Sequence, residues 1–178
     1  GVALIGLIWL LRPFIGRMAA LIAAVLVLVS PSITYYSRSL RHDIFALTGT
    51  LLLFVSILWF LRTHQSRWVY LGALGLIVAY ASHELTFIIA FIFLLFLVLA
   101  AFLYDFVVGR SRYDDSGAST AYDVNPLRSA ISSLAAQKWT LVGAALLFLG
   151  VYVVLYTNLL TKPQLALSGI VEGLAYWL

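Results

Sequence analysis

From Ile44 to Leu61 the sequence reads IFALTGTLLLFVSILWFL, without one charged side chain. A helix over these residues would be about 27 Å long at ~1.5 Å per residue, close to the ~30 Å hydrocarbon thickness of a bilayer. Similar apolar runs occupy roughly 18–36, 68–82, 85–104 and 140–160, with a shorter one at 1–11. The chain is 63% hydrophobic and 10% charged, against about 45–50% and about 25% in ordinary soluble domains. A soluble fold of this size could not hide such runs without exposing large apolar patches. Neither the alternation of a membrane β-barrel nor its aromatic girdles appear, so helices are the remaining way to satisfy backbone groups in lipid. The expectation is an all-α, polytopic transmembrane helical bundle of about six spans, with residues 1–178 forming a single transmembrane domain.

The first run, GVALIGLIWLL, is 11 residues long before Arg12, too short for a hydrocarbon core that needs about 20. With Gly1 in place of an initiator Met, it reads as the cut end of a span and the chain as an internal fragment. No basic start, short apolar run and small-residue cleavage site of a signal peptide can be recognised. The absence of cysteine excludes disulfides, thiolate metal sites and cysteine nucleophiles. A net charge of +4 would be compatible with nucleic acid, but the basic residues are scattered through the connections, where membrane orientation explains them and no nucleic-acid partner is called for.

Those connections alternate in charge. Arg12, Arg17, Arg62, Arg67, Arg110, Arg112, Arg128 and Lys138 fall on one side, and Arg38, Arg41 and Lys162 on the other. The positive-inside rule makes the first side cytoplasmic and turns 37–43 and 82–84 outward. Trp59, Trp68, Tyr104 and Trp139 lie at span ends on the cytoplasmic side, as an interfacial belt requires. The stretch 109–138 is the one long polar connection. It opens as a flexible loop, RSRYDDSGAST, and continues as NPLRSAISSLAAQKW. There Asn125 suits an N-cap and Pro126 a first helical position, while Leu127, Ile131 and Leu134 recur at helical spacing. This predicts a short interfacial helix over 126–137, lying on the cytoplasmic membrane surface; a solvated linker with one amphipathic turn is the plainer alternative.

Two charged clusters interrupt the apolar pattern. In SPSITYYSRSLRHD, residues 30 to 43, helical spacing would put Arg38, Arg41 and His42 on one face. Pro31 predicts a kink or helix end just before them. In YASHELTF, His83 and Glu84 stand almost alone between two apolar runs. A single helix over 68–104 would extend about 55 Å, so the chain must reverse near these residues. Ser82 suits a cap on the following helix, and Glu84 suits its first turn. The structural reading pairs Arg38 or Arg41 with Asp43 or Glu84, or lets them reach the headgroups. The functional reading lines a polar cavity with them and binds an anion. Two arginines one turn apart suit a lipid phosphate or pyrophosphate, because each guanidinium is a planar fork of donors with permanent charge. Asp43, His83 and Glu84 form a weaker candidate set for a divalent cation, and no cofactor is otherwise implied. Tyr35, Tyr36 and Tyr80 near the same ends suit interface anchors, and less readily a sugar platform. No zincin, P-loop, nucleophile-elbow or dinucleotide fingerprint is present.

The order of these features resembles the membrane core of GT-C glycosyltransferases of the protein-mannosyltransferase-like type. An apolar span ends in SPSITYYSRSLRHD; a second span, the basic turn RTHQSRW, another span and SHELT follow. Within that group the likeness is nearest to the archaeal family described as flippase-activity-associated membrane proteins, and it covers about residues 12 to 104. It implies an inverting enzyme that takes a sugar from a polyprenyl(dolichyl)-phosphate donor on the external face and passes it to a glycan or protein acceptor. Ser30, Pro31, Tyr36, Ser37, Arg38, Arg41 and Asp43 occupy the motif positions. The resemblance gives Arg38 and Arg41 to the donor phosphate or the lining of its cavity, with Tyr36, His42, His83 and Glu84 around them. His83 stands where related sequences often carry Lys, and an imidazole with an ordinary pKa near ~6.5 is not charged throughout the physiological range. The resemblance therefore lends no support to a phosphate contact by His83. The catalytic carboxylate is expected in a first external loop upstream of Gly1, with Asp43 as a weak substitute.

A transferase of this kind needs a carboxylate to take the acceptor's proton and cations to stabilise the departing lipid phosphate. The main rival is a transporter or flippase of lipid-linked sugars, which would grip the same phosphate without a base. A membrane scaffold with purely structural charges is the third reading.

Overall fold

The structure, a computed structural model, describes residues 1–38, 43–82, 86–111 and 126–156, with side chains described over 1–35, 43–82, 86, 88–104 and 127–155. The described residues are helical apart from short breaks. In chain order the helices are α1 (Val2–Leu10), α2 (Arg12–Ile15), α3 (Arg17–Val29), α4 (Pro31–Arg38), α5 (Asp43–Thr63), α6 (Ser66–Ser82), α7 (Thr86–Ser111), α8 (Pro126–Ala136) and α9 (Lys138–Tyr156).

The breaks have local causes. Gly16 takes φ 86° and ψ 160°, a region that favours glycine, and this lets α3 turn back along α1. Leu4 and Ala20 are buried where the two run together. The predicted run 18–36 divides at Ser30, which leaves helical geometry at ψ 116°. Its Oγ accepts the Ile33 N–H at 3.4 Å, and its carbonyl accepts the Thr34 N–H at 3.0 Å. Pro31 takes the first position of α4, where it has no hydrogen bond to lose. The kink expected from Pro31 is thus a full restart of the helix. Between α5 and α6, His64 adopts φ 53° and donates its N–H to the Phe60 carbonyl at 2.8 Å, a left-handed helix ending.

Helices α5 and α6 form the most extensive pair. They run antiparallel, Gly49 facing Gly75 and Ala79, Ser56 facing Gly72, and Trp59 stacked on Trp68. The approach is close enough that a Cβ on Gly49 would meet the Ala79 nitrogen and the Gly75 oxygen at 2.6 Å. One on Gly75 would meet the Leu53 nitrogen at 2.7 Å. Backbone contact of this kind is how small residues join helices in lipid. The hydroxyls on α5 are satisfied inside it: Thr48, Thr50 and Thr63 donate to the carbonyls of Ile44, Ala46 and Trp59 at 2.7 to 2.8 Å. Ser56 Oγ, by contrast, is buried in the seam without a hydrogen-bond partner.

Helix α1 packs on α5 through Leu7, Leu11 and Val55. Helix α9 packs on the opposite side of α6, where a Cβ on Gly143 would meet the Tyr70 hydroxyl at 2.6 Å. Helix α7 touches α5 and α6 sparsely, with Phe54 stacked on Phe93 at 5.9 Å. Its predicted end near residue 104 is too early, since the helix runs on through Gly109 and Arg110 to Ser111. No proline interrupts these residues, and one glycine costs a helix only about 1 kcal/mol.

Two helices are long and apolar enough to cross a membrane, at Asp43–Thr63 and Lys138–Leu155; Arg17–Val29 and Ile88–Tyr104 are shorter apolar helices. Only 17% and 11% of the two long windows are buried, unlike the core helix of a soluble domain. Large apolar side chains such as Leu26, Phe91, Phe96, Phe102 and Leu146 face outward on α3, α7 and α9. This exposure is compatible with association with a membrane.

Candidate functional site

The antiparallel register fixes what lies at each end of the bundle. From Gly49 the chain of α5 runs back to Asp43, and from Ala79 that of α6 runs on to Ser82, so Asp43 and Ser82 share an end. Helix α4 contacts both α3 and α5, bringing its own C-terminal end there. Helix α7 starts at the same end with Thr86, which is only 2% exposed. The reversal expected near residues 83 and 84 therefore falls between α6 and α7, and the segments flanking both charged clusters converge.

Asp43 opens α5 and is half-buried. A carboxylate in a first helical turn is favoured by the N–H groups and dipole of the helix end. Tyr36 and Arg38 belong to the backbone of α4, but their side chains lie outside the described residues, as do Arg41, His42, His83 and Glu84 altogether. Of the residues considered for a divalent cation, Asp43 alone is described, and no group of three metal-ligating side chains occurs among the described residues.

At this end one side chain departs from the sequence expectation and three others went unread. Ser82 donates its hydroxyl to the Val78 carbonyl at 2.6 Å, in the last turn of its own helix; residues 83–85, on which the expected cap of the following helix turns, lie outside the described residues. A serine at a helix end readily bonds back to the carbonyl four residues earlier, which is the nearest acceptor in apolar surroundings. Tyr80, expected as an interface anchor, packs inward, its ring 5.8 Å from Phe148 and 5.7 Å from Tyr152 on α9. Thr86, buried at the start of α7, went unread inside SHELT. Phe148 and Tyr152 also went unread, although their four-residue spacing on α9 is the signal that puts them on one face.

The opposite end gathers the basic connections. Trp59 donates its Nε1–H to the Leu10 carbonyl at 3.0 Å, tying the end of α5 to the end of α1. The Arg62 guanidinium lies over the rings of Phe14 and Trp59 at 5.7 and 5.8 Å, Arg12 over Trp9 at 5.2 Å, and Arg67 over Trp68 at 5.3 Å. Gln137, at the junction of α8 and α9, accepts from Ser66 Oγ at 2.7 Å and donates to the His64 carbonyl at 2.8 Å. Arg12, Arg62, Arg67 and Lys138 therefore share an end, as the alternation of loop charge predicts.

Two details at this end also depart from expectation. Trp59 and Trp68 are not a lipid-facing belt: their rings stack at 5.2 Å and 15°, and Trp68 is 8% exposed. The α5–α6 register faces them across the seam, and a stacked indole pair gains contact that lipid would not supply. Trp139, by contrast, is 77% exposed. Helix α8 forms over Pro126–Ala136, but it docks by Ala130 and Leu134 on Phe60 and Trp68 and leaves Ile131 facing out. Its apolar face is thus divided between the protein and the outside. Asn125, the expected cap, lies outside the described residues.

The arrangement offers a carboxylate and a helix N-terminus at one end of an apolar bundle, and arginines with aromatic support at the other. Compared with family models, with curated proteins and with solved structures, the chain matches none.

Proposed function

We propose that the chain is the membrane core of a multi-span glycosyltransferase of GT-C type, working on the external face of the cell membrane with a polyprenyl-phosphate-linked sugar as donor. In this reading about six helices cross the bilayer, and the end carrying Arg12, Arg62, Arg67 and Lys138 faces the cytoplasm. The observation that carries it is the placement of the SPSITYYSRSLRHD segment. It restarts as α4 at Pro31, packs on α3 and α5, and precedes α5 at Asp43, which shares with Ser82 the end opposite the basic residues.

Chemically, the acceptor's nucleophile attacks the anomeric carbon as the bond from that carbon to the phosphate oxygen breaks. The acceptor's proton passes to a carboxylate, and the negative charge leaves with the polyprenyl phosphate. Arg38 and Arg41 would neutralise that leaving charge. Asp43, in the first turn of α5, is the described carboxylate at this end.

The test follows labelled sugar and released polyprenyl phosphate in membranes containing the full-length protein. Arg38→Gln with Arg41→Gln is expected to lower release at least tenfold, since a charge-assisted hydrogen bond contributes about 1.5–3 kcal/mol. Movement of the intact lipid-linked sugar across the bilayer without release would replace the transferase by a transporter. Unchanged glycan assembly in the double variant, with altered stability alone, would leave these arginines a structural role.

A further inference from the structure

Two arginines at the basic end stand on linked aromatic supports. Arg62, exposed on α5, lies over Phe14 at 5.7 Å and Trp59 at 5.8 Å, and those two rings meet edge to face at 5.6 Å. Arg12, exposed at the start of α2, lies over Trp9 at 5.2 Å. The two supports are tied together, because Trp59 donates its Nε1–H to the carbonyl of Leu10, the chain neighbour of Trp9. Neither guanidinium has a carboxylate partner among the described residues; the carboxylate whose side chain is described, Asp43, stands at the opposite end.

Loop charge alone does not account for this arrangement. The positive-inside bias counts Lys and Arg alike, and Lys138 serves it at the same end without a ring contact among the described residues. A ring beneath a guanidinium fixes the plane of the fork and leaves its edge of N–H donors free. Held in this way, each arginine is set to grip an oxyanion through two donors. The pair carries two permanent positive charges. A phosphate monoester, with about two negative charges near neutral pH, matches them better than a phosphodiester with one.

We propose that Arg12 and Arg62 form a binding site for one phosphate monoester at the basic end of the bundle. A lipid headgroup in the adjacent leaflet and a soluble ester present the same group to these forks. The lipid source rests on the bilayer location proposed above, and neither source depends on the sugar chemistry.

The test has two arms. In the first, the full-length protein is reconstituted in phosphatidylcholine vesicles holding equal amounts of phosphatidic acid and phosphatidylglycerol, and retained lipid is counted by native mass spectrometry after gentle extraction. In the second, the solubilised protein is titrated with glycerol 3-phosphate while tryptophan emission is followed. Retention of phosphatidic acid, the monoester, over phosphatidylglycerol, the diester, is expected if the source is lipid; saturable change with glycerol 3-phosphate is expected if it is soluble. Arg62→Lys and Arg12→Lys keep the charge but remove the fork, and each should weaken the positive arm about fivefold, the effect of one hydrogen bond. Lys138→Gln, which removes a charge from the same end, should change neither arm. Absence of monoester preference in both arms, or Lys variants that bind as wild type does, would overturn the site and leave the rings a packing role. Arg12 and Arg62 belong to different helices, so a Lys variant that fails to fold leaves the other to decide. Failure of the full-length protein to float with the vesicles would instead overturn the bilayer location.

Discussion

Helix α6 presents two faces to two neighbours, and they are built on opposite plans. Toward α5 it offers Gly72, Gly75 and Ala79, and the backbones come within contact of each other. Toward α9 it offers Tyr70, Ile77 and Tyr80, and the space is filled by rings, with Phe148 and Tyr152 completing the cluster. In the bilayer location proposed above, no water is displaced between helices, so transfer out of water cannot join them. Contact must do so, and it can be made by bringing backbones together or by spreading aromatic surface between them. The glycine face is rigid, because backbone cannot step aside. The aromatic face is adjustable, because the Tyr70 hydroxyl that crowds Gly143 is the far end of a mobile side chain.

The comparison breaks first at Gly75. Replacing it with Leu drives a side chain into the Leu53 nitrogen and the Gly49 carbonyl. A loss of about 2–3 kcal/mol is expected, measurable as reversible unfolding in mixed micelles; a loss under half that would mean the helices can separate cheaply. A smaller effect is expected on the other face. Tyr80→Ala removes two ring contacts worth about 0.5–1.5 kcal/mol each, read in the same micelle unfolding. The smallest effect sharpens the rule. A Cβ on Gly72 would meet Ser56 Cβ at 3.5 Å, an ordinary contact, so Gly72→Ala should be neutral or stabilising by up to about 1 kcal/mol through helix propensity. If Gly72→Ala and Gly75→Leu destabilise alike, close backbone approach is not what distinguishes the two positions.

Much of the helical framework was legible because charge marks its boundaries. Asp43 and Arg62 bracket α5, Arg67 stands in the first turn of α6, and Lys138 opens α9. Pro31 and Pro126 both open helices, as a residue without an N–H should. What was hidden depends on pairing across helices. Gly49, Gly72 and Gly75 acquire meaning only once α5 and α6 are set in register. The same register takes Trp59 and Trp68 from lipid and stacks them. In the candidate site, the start of α5 was readable from the apolar run that begins at Ile44, but the inward turn of Tyr80 was not, because its partners lie on α9, far along the chain. The end of α7 was missed because glycine and arginine near residue 110 mark a boundary only weakly.

The preference of α6 for α9 over α7 has a consequence for how the protein is made. Synthesis delivers α7 directly after α6, yet α7 ends at the margin and the later α9 takes the ring-bearing face. At about 5–20 residues per second, the stretch from Ser82 to Tyr156 takes on the order of ten seconds to emerge. During that interval the ring-bearing face of α6, with Tyr70 and Tyr80, lacks the partner that α9 supplies in the folded chain. Helix α7 makes few contacts with α5 and α6, and its Phe91, Phe96 and Phe102 face outward. A later helix thus takes the face that an earlier one leaves open, and Gln137 ties the α8–α9 junction to Ser66 and His64.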